Sequence, residues 1–235
     1  MNKGKLYLIP TVLGDEPVNQ VLPAGTIAII HTIDHFIVEE IRTARRFLRK
    51  AGVSRPLDDF SFEIFNEHSA KEDISFYLQP ALNGISIGLL SEAGTPCIAD
   101  PGSEIVGMAH REGISVIPLT GPSSLLLTLM ASGFNGQNFA FVGYLPVDRS
   151  ERVKRIKEIE RTVFDKDQTQ IFIETPYRNN QLLEALLIAC HEETRLCIGT
   201  DVTSESGFIT TKPIREWRTN KPDINKKPTV FLLYR

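Results

Sequence analysis

Two loop sequences carry most of the recognisable chemistry in this chain. The first, Ser91-Glu-Ala-Gly-Thr-Pro-Cys-Ile-Ala-Asp-Pro-Gly102, holds two prolines and two glycines within twelve residues. Proline fixes the backbone and glycine lets a ligand approach it, so the run reads as a rigid ligand loop rather than a plain turn. The second, Gly121-Pro-Ser-Ser124, offers hydroxyls and backbone N–H groups where a helix is expected to begin. Such a start suits either helix capping or a polar ligand group. Glu39, Glu92 and Glu174 flank these loops and could take a proton from a poor nucleophile such as a hydroxyl. They could equally cap helices or pair with Arg42 and Arg178, and both readings stand open on the sequence.

A third feature is electrostatic. From Ile41 to Leu57 the chain has six basic residues and no acidic one. Of these, Arg42, Arg45, Arg46 and Arg49 fall at i, i+3, i+4 and i+7, one face of a helix. A single-sign stripe on a chain of net charge −3 suits a phosphate backbone. The competing reading is a solvated or dimer-interface face. A second basic cluster, from Arg152 to Arg161, is interleaved with Glu151, Glu158 and Glu160 and reads as a solvated helix face.

Several common chemistries find no support. No two glycines are separated by a single residue, which excludes Gly-x-Gly-x-x-Gly, and there is no Gly-Lys-Ser/Thr. No Gly-x-Ser-x-Gly elbow occurs. Cys97, Cys190 and Cys197 lack Cys-x-x-Cys spacing and read as small core hydrophobes. His31 and His35 lie four apart without a supporting ligand, so no metal site is expected.

The elements that must position these loops follow from periodicity. Strands are predicted at Lys5–Ile9, Phe36–Val38, Ile85–Leu90 and Ile114–Pro118, with helices at 40–51 and Ile105–His110. Residues 26–33 fit either a helix or a strand. Continuous apolar strands alternating with helices imply a parallel sheet covered on both faces. The ligand loop then lies at the carboxyl end of a strand, where open α/β sheets bind ligands. In the second half, strands are predicted at Phe139–Tyr144, Gln170–Glu174, Arg195–Thr200 and Thr229–Tyr234. Helices are predicted at Leu125–Met130, Glu151–Val163 and Asn179–Ala189. These strands are closely spaced and the last lacks a crossover helix, so this sheet is expected to be mixed. The fold class is α/β, as two α/β domains over residues 1–117 and 118–235.

The 235 residues, 42% hydrophobic and 23% charged, can bury a core without disulfides or a structural metal. No window approaches the roughly 18 apolar residues of a spanning helix, and no signal-type cleavage site follows the first strand. A cytoplasmic protein with no membrane partner is the expectation.

Taken in order, five segments resemble a known family. They are Ile9-Pro-Thr-Val-Leu-Gly-Asp15, Ser91-Glu-Ala-Gly-Thr-Pro96 with Asp100-Pro-Gly102, Pro118-Leu-Thr-Gly-Pro-Ser-Ser124 with Ala131-Ser-Gly-Phe134, Phe141-Val-Gly-Tyr-Leu-Pro146, and Glu174-Thr-Pro-Tyr-Arg178. They resemble the tetrapyrrole (corrin/porphyrin) methylase superfamily, and most closely its branch of small-subunit ribosomal RNA cytidine 2′-O-ribose methyltransferases. That resemblance implies an S-adenosylmethionine-dependent methyltransferase, usually a homodimer, with the cofactor in a cleft between two domains. By motif, Pro10, Gly94, Pro96, Ile98 and Asp100 would hold the cofactor from the first domain. Thr120, Ser123, Ser124 and Tyr144 would hold it from the second, and Lys227-Pro-Thr229 would touch its adenine. Ribosomal RNA or the small ribosomal subunit would be the partner, met by Arg42, Arg45, Arg46 and Arg49. His68 resembles a substrate-touching position of the RNA branch. This chain departs from the branch at Glu40 and Ile41, where Asp and Thr are usual, at Glu92 for Asp, and at Thr175 and Tyr177 for Ser and His. Two other readings remain open: a family methyltransferase of a tetrapyrrole or other small molecule, and a silent S-adenosylmethionine- or nucleotide-binding module that assists ribosome assembly.

Overall fold

The computed structural model describes residues 2–66, 69 and 74–235, so His68 lies outside the described residues. The strands are β1 (Lys5–Ile9), β2 (His35–Val38), β3 (Ser61–Ile64), β4 (Ile87–Leu90), β5 (Ser115–Pro118), β6 (Phe139–Tyr144), β7 (Thr169–Ile173), β8 (Arg195–Thr200), β9 (Phe208–Pro213) and β10 (Thr229–Tyr234). The helices are α1 (Val18–Val21), α2 (Ala24–Ile30), α3 (Ile41–Lys50), α4 (Ile74–Tyr77), α5 (Gln79–Leu82), α6 (Ser103–Arg111), α7 (Ser124–Ser132), α8 (Arg149–Lys166), α9 (Asn179–Ala189) and α10 (Ile214–Thr219). They divide into two compact units, Met1–Ser123 and Ser124–Arg235.

The first unit is a five-stranded sheet of order β3-β2-β4-β1-β5, with every pair parallel. Successive residues of β2 point to opposite faces, which explains its unbroken apolar run. Phe36 and Val38 join one apolar layer with Ala44, Phe47 and Leu48 of α3. Ile37 joins the opposite layer with Ile105 and Ala109 of α6. Residues 26–33 resolve as a helix over most of their length, since α2 buries Thr26 and Ile30, one turn apart, on one side. The strand expected from Ile85 starts only at Ile87. Ile85 instead closes the turn after α5, its N–H bonded to the Pro80 carbonyl, and is 47% exposed.

The second unit is a five-stranded mixed sheet of order β6-β7-β10-β8-β9. Only β6 and β7 pair in parallel, joined through the long helix α8; the other pairs are antiparallel. One face packs Phe172, Leu196, Ile198, Phe231 and Leu233 against α8, α9 and α10. The other face packs Ile171, Cys197, Val230 and Leu232 against Leu129 of α7. A short helix, α10, does lie ahead of the last strand, but β10 runs antiparallel to β8 and needs no crossover. Cys190 and Cys197 are buried among these side chains.

Candidate active site

Strand order fixes where the first unit can bind a ligand. β1 and β4 are neighbours, but β1 leads to β2 on one side and β4 leads to β5 on the other. Connections leaving in opposite directions open a crevice at the carboxyl ends of these two strands. The loops that follow meet there. The Thr11 N–H donates to the Gly94 carbonyl at 2.9 Å, and the Ser91 hydroxyl donates to the same oxygen. The hydroxyls of Thr11 and Ser91, both buried, lie 3.4 Å apart.

The loop after β5 closes against the same place. Gly94 has φ +76°, and a Cβ there would stand 2.9 Å from Leu13 Cδ2 and 3.2 Å from the Pro122 carbonyl oxygen. A Cβ on Gly121 would stand 2.3 Å from Pro10 Cγ. Glycine is therefore the residue that lets these loops touch. Pro10, Gly94, Pro96, Thr120 and Ser123 all belong to this group of loops. Thr120 and Ser123, expected on the second domain, fall in the first unit because the β5 loop packs onto β1 before the chain leaves.

Farther along the ligand loop the backbone is strained. Cys97 and Ala99 have φ of 66° and 60°, left-handed values that cost an L-residue on the order of 1 kcal/mol or more. Between them Ile98 is 51% exposed. Asp100 follows, with its Oδ2 atom buried and without a hydrogen-bond partner among the described residues. Burial, then the negative charges of Glu39 and Glu92, push its carboxyl up to about 7. Three acids from two loops thus share one locality.

Glu40 holds the start of α3. Its carboxylate accepts from the N–H groups of Arg42, at 2.7 Å, and Thr43, at 2.8 Å. Those bonds hold the carboxyl below the usual carboxylate range. The Thr43 hydroxyl donates to Glu92 Oε1 at 2.6 Å, tying the helix to the ligand loop. The arginines of α3 differ in what they meet. Arg45 pairs with Asp58 at 3.0 Å and lies over the Phe62 ring, and Arg49 donates to the carbonyls of Val53 and Arg55. Arg42 and Arg46 are exposed and carry no ion pair among the described residues. Arg46, Lys50, Thr43, Leu13 and Glu92 line a recess of about 240 Å³.

In the second unit the remaining candidates gather at one end of the sheet. Tyr144 ends β6 and is 54% exposed. Glu174 directly follows β7, and Thr229 opens β10 opposite Thr200. The Thr229 hydroxyl donates to the Lys227 carbonyl at 3.0 Å and lies 3.2 Å from that of Thr200. Ser124 opens α7, and its carbonyl accepts the Thr128 hydroxyl. Glu174 has a fully buried side chain that accepts from Arg178 Nη2 and from the Thr175 N–H, both at 2.6 Å. Asn179, fully buried, donates to the Lys227 carbonyl at 2.6 Å and so fastens the segment leading to Thr229.

A family model for tetrapyrrole (corrin/porphyrin) methylases matches residues 5–217 of the chain. The chain belongs to this family. It is therefore a methyltransferase-family enzyme of the S-adenosylmethionine-dependent kind. Within the family it is 29% identical to ribosomal RNA small subunit methyltransferase I of Vibrio cholerae, over 97% of this chain and 76% of that one. The Mesorhizobium japonicum protein of the same name is 32% identical, over 89% of this chain and 67% of that one. That of Leptospira biflexa is 29% identical, over 98% and 91%. The family fold is seen in the methyltransferase CobJ, with a TM-score of 0.65 at 17% identity over 99% of this chain and 94% of that one. It is seen again in a Thermus thermophilus uroporphyrin-III C-methyl transferase complexed with S-adenosylhomocysteine, at 0.61 and 15%, over 99% and 98%.

Sequence reasoning does not single out Thr11, Ser91, Thr43, Lys50 or Asn179 as site residues, although Ser91 opens the ligand loop and Lys50 is one of the six basic residues of 41–57. Ser91 directly follows β4 and Thr11 stands two residues past the end of β1, positions at strand ends that could flag them. Thr43 and Asn179 gave no signal, because their partners lie 49 and 48 residues away.

Proposed function

We propose that this protein transfers a methyl group from S-adenosylmethionine to a ribose 2′-hydroxyl of small-subunit ribosomal RNA. The observation that carries this reading is the near-full-length similarity to ribosomal RNA small subunit methyltransferase I proteins. Two features suit the methyl donor. An orphaned buried carboxylate oxygen on Asp100, with Glu39 and Glu92 nearby, favours a cationic ligand. The loops around Gly94 and Gly121 present main chain at close quarters.

On the first unit, Pro10, Gly94, Pro96, Ile98, Asp100, Thr120 and Ser123 are the proposed donor-holding residues; Ser124, Tyr144 and Thr229 of the second unit are donor candidates by motif. When bound, S-adenosylmethionine supplies a methyl group on a sulfonium, which departs as a neutral thioether and needs no acid. The residues' work is then to align the acceptor, exclude water and receive the hydroxyl proton. Glu92, exposed and held by Thr43, and half-buried Glu39 are the proposed acceptors of that proton. Glu174, sealed from solvent by its pairing with Arg178, serves the architecture instead. Arg42 and Arg46, exposed and without an ion pair among the described residues, are the strongest proposed RNA contacts of the stripe, with Arg45 and Arg49 adding field.

Such an enzyme works where small subunits are assembled, in the cytoplasm, and no helix among the described residues is long and apolar enough to cross a membrane. We also propose a homodimer, since Leu126 and Met130 of α7 are 50% and 79% exposed. Light scattering at the mass of one chain would remove that proposal.

The deciding experiment is titration calorimetry with S-adenosylmethionine and S-adenosylhomocysteine, followed by tritium transfer from labelled donor into undermethylated small subunits. Label at a ribose 2′-oxygen is the expected result. Binding without transfer would point to a silent assembly module, and transfer into a tetrapyrrole alone would move the acceptor to a small molecule. No binding, even with subunits present, would end the methyltransferase reading.

A further inference from the structure

We infer that the recess between α3 and the loops after β1 and β4 seats one ribonucleotide of the acceptor RNA. Arg46 and Lys50 would meet its phosphate and Glu92 its ribose 2′-hydroxyl; the inference rests on the RNA methyltransferase reading above and deepens it. Size is the first argument. At about 240 Å³ the recess lies below the roughly 300–1,000 Å³ of sites that enclose a whole drug-sized ligand. A recess of that size takes part of a chain, such as the ribose phosphate of one nucleotide, rather than enclosing a whole small molecule.

The distribution of charge is the second argument. Arg46 and Lys50 stand at i and i+4 on α3, so both cations share one wall. Among the described residues Arg46 has no ion pair, and the acid that Lys50 meets is Asp15, which also lines the recess and whose side chain is fully solvent-exposed. An exposed pair of this kind exchanges readily for a phosphate. Arg45 and Arg49 point their guanidinium groups elsewhere, at Asp58 and at the Val53 and Arg55 carbonyls. The basic stripe therefore delivers its free charge to this recess and to Arg42.

The opposite wall is acidic, and that selects among phosphate ligands. Glu92 is fixed there by the Thr43 hydroxyl at 2.6 Å. A carboxylate repels bare phosphate but accepts hydrogen bonds from hydroxyl groups. A ligand with an anionic end and a hydroxyl end satisfies both walls; within an RNA strand the ribose keeps its 2′-hydroxyl for this, whereas the deoxyribose of a DNA strand has no free hydroxyl. Ala93, next to Gly94 in the ligand loop, also lines the recess, so a hydroxyl held there lies beside the loop assigned to the methyl donor.

The test uses the full-length protein, undermethylated small subunits and a short single-stranded RNA with its DNA counterpart. Arg46→Glu and Lys50→Glu should each raise KM for subunits roughly tenfold with little change in kcat. Each should also make the salt dependence of RNA binding shallower by about 0.7 per lost phosphate contact. Calorimetric affinity for S-adenosylmethionine should stay at the wild-type value, as should all three readouts in Lys157→Glu on α8. The milder Arg46→Gln and Lys50→Gln keep the test valid if charge reversal harms folding. Glu92→Gln should erase the preference for RNA over DNA. Wild-type protein that methylates subunits, with unchanged KM and salt slope in the Arg46 and Lys50 variants, would overturn this inference alone. Wild-type protein that binds donor but methylates no RNA would overturn the RNA reading and this inference with it.

Discussion

The Thr43 hydroxyl, in the first turn of α3, donates to the Glu92 carboxylate in the loop after β4 at 2.6 Å. A helix carrying the basic stripe is thereby pinned to the loop that carries the candidate donor site. The same hydroxyl lies 2.9 Å from the Glu40 carbonyl, so Thr43 is held from both sides. Thr43→Val should lower unfolding free energy by about 1 kcal/mol, an ordinary side-chain hydrogen bond. Thr43→Ser should restore most of it. Urea denaturation of the three proteins measures the difference.

Glu40 caps α3 with two bonds to its carboxylate, and its folded-state pKa is depressed. For an acid shifted downward, the stabilisation is present above the unfolded-state pKa and disappears as pH falls through the folded value. Glu40→Ala should therefore melt at a lower temperature than wild type at neutral pH. The gap should close below about pH 4. A gap that persists in acid would mean that packing, not the charged cap, holds the helix start.

Asp100 behaves in the opposite sense. Its carboxyl is raised to about 7, first by burial and then by Glu39 and Glu92. An acid raised on folding leaves the protein progressively less stable as pH climbs from about 4 to 7. Asp100→Asn should raise the melting temperature by roughly 2–4 °C above pH 7 and change little near pH 4, after allowing for solvent screening.

The same carboxyl gives a ligand signature. A cation bound beside Asp100 favours its ionised form, so affinity for S-adenosylmethionine should rise with pH across the neutral range. S-adenosylhomocysteine lacks the sulfonium charge and should show no such rise. Calorimetry in buffers of different ionisation enthalpy would detect the released proton with the first ligand only. Equal pH profiles for both would separate Asp100 from the sulfonium.

Gly94 tests the convergence of loops. Gly94→Ala puts a Cβ at φ +76° and 2.9 Å from Leu13 Cδ2. The left-handed conformation alone costs roughly 1–2 kcal/mol. Donor affinity should fall at least tenfold while the circular dichroism spectrum is retained. Wild-type affinity in this variant would mean that the donor sits elsewhere.

Arg178→Met leaves the Glu174 carboxylate buried without its cation, although its side chain is fully enclosed. Removing one partner of such a pair costs about 3–5 kcal/mol, whereas replacing both is far milder. Glu174→Gln combined with Arg178→Met should therefore unfold at higher urea than Arg178→Met alone. The reverse order would show that the pair contributes little.

Much of this architecture is written in local pattern. β6, α9, β8 and β10 run between the residues that periodicity and punctuation mark; α9, β8 and β10 bury their apolar residues, and β6 is a half-buried apolar run. The ligand loop is legible for the same reason, since prolines and glycines declare its rigidity residue by residue. β3 and β9 are not legible. Both are edge strands, half-exposed along their length, and their existence depends on pairing with β2 and β8.

What the sequence by itself determined is the type of most central elements, the two-sheet α/β organisation and the loops that bear the family's motifs; β3, β9 and the short helices lay outside its reach. Tertiary structure alone decided which side chains meet. It gave the helix cap to Glu40 rather than Glu39, and it enclosed Glu174 with Arg178. It also divided a uniform arginine stripe into partnered and free members and gathered three acids at Asp100. The physical reason is range. Secondary structure follows from neighbours a few residues apart, whereas charge pairing, desolvation and recess walls come from residues that approach only after the sheet has formed.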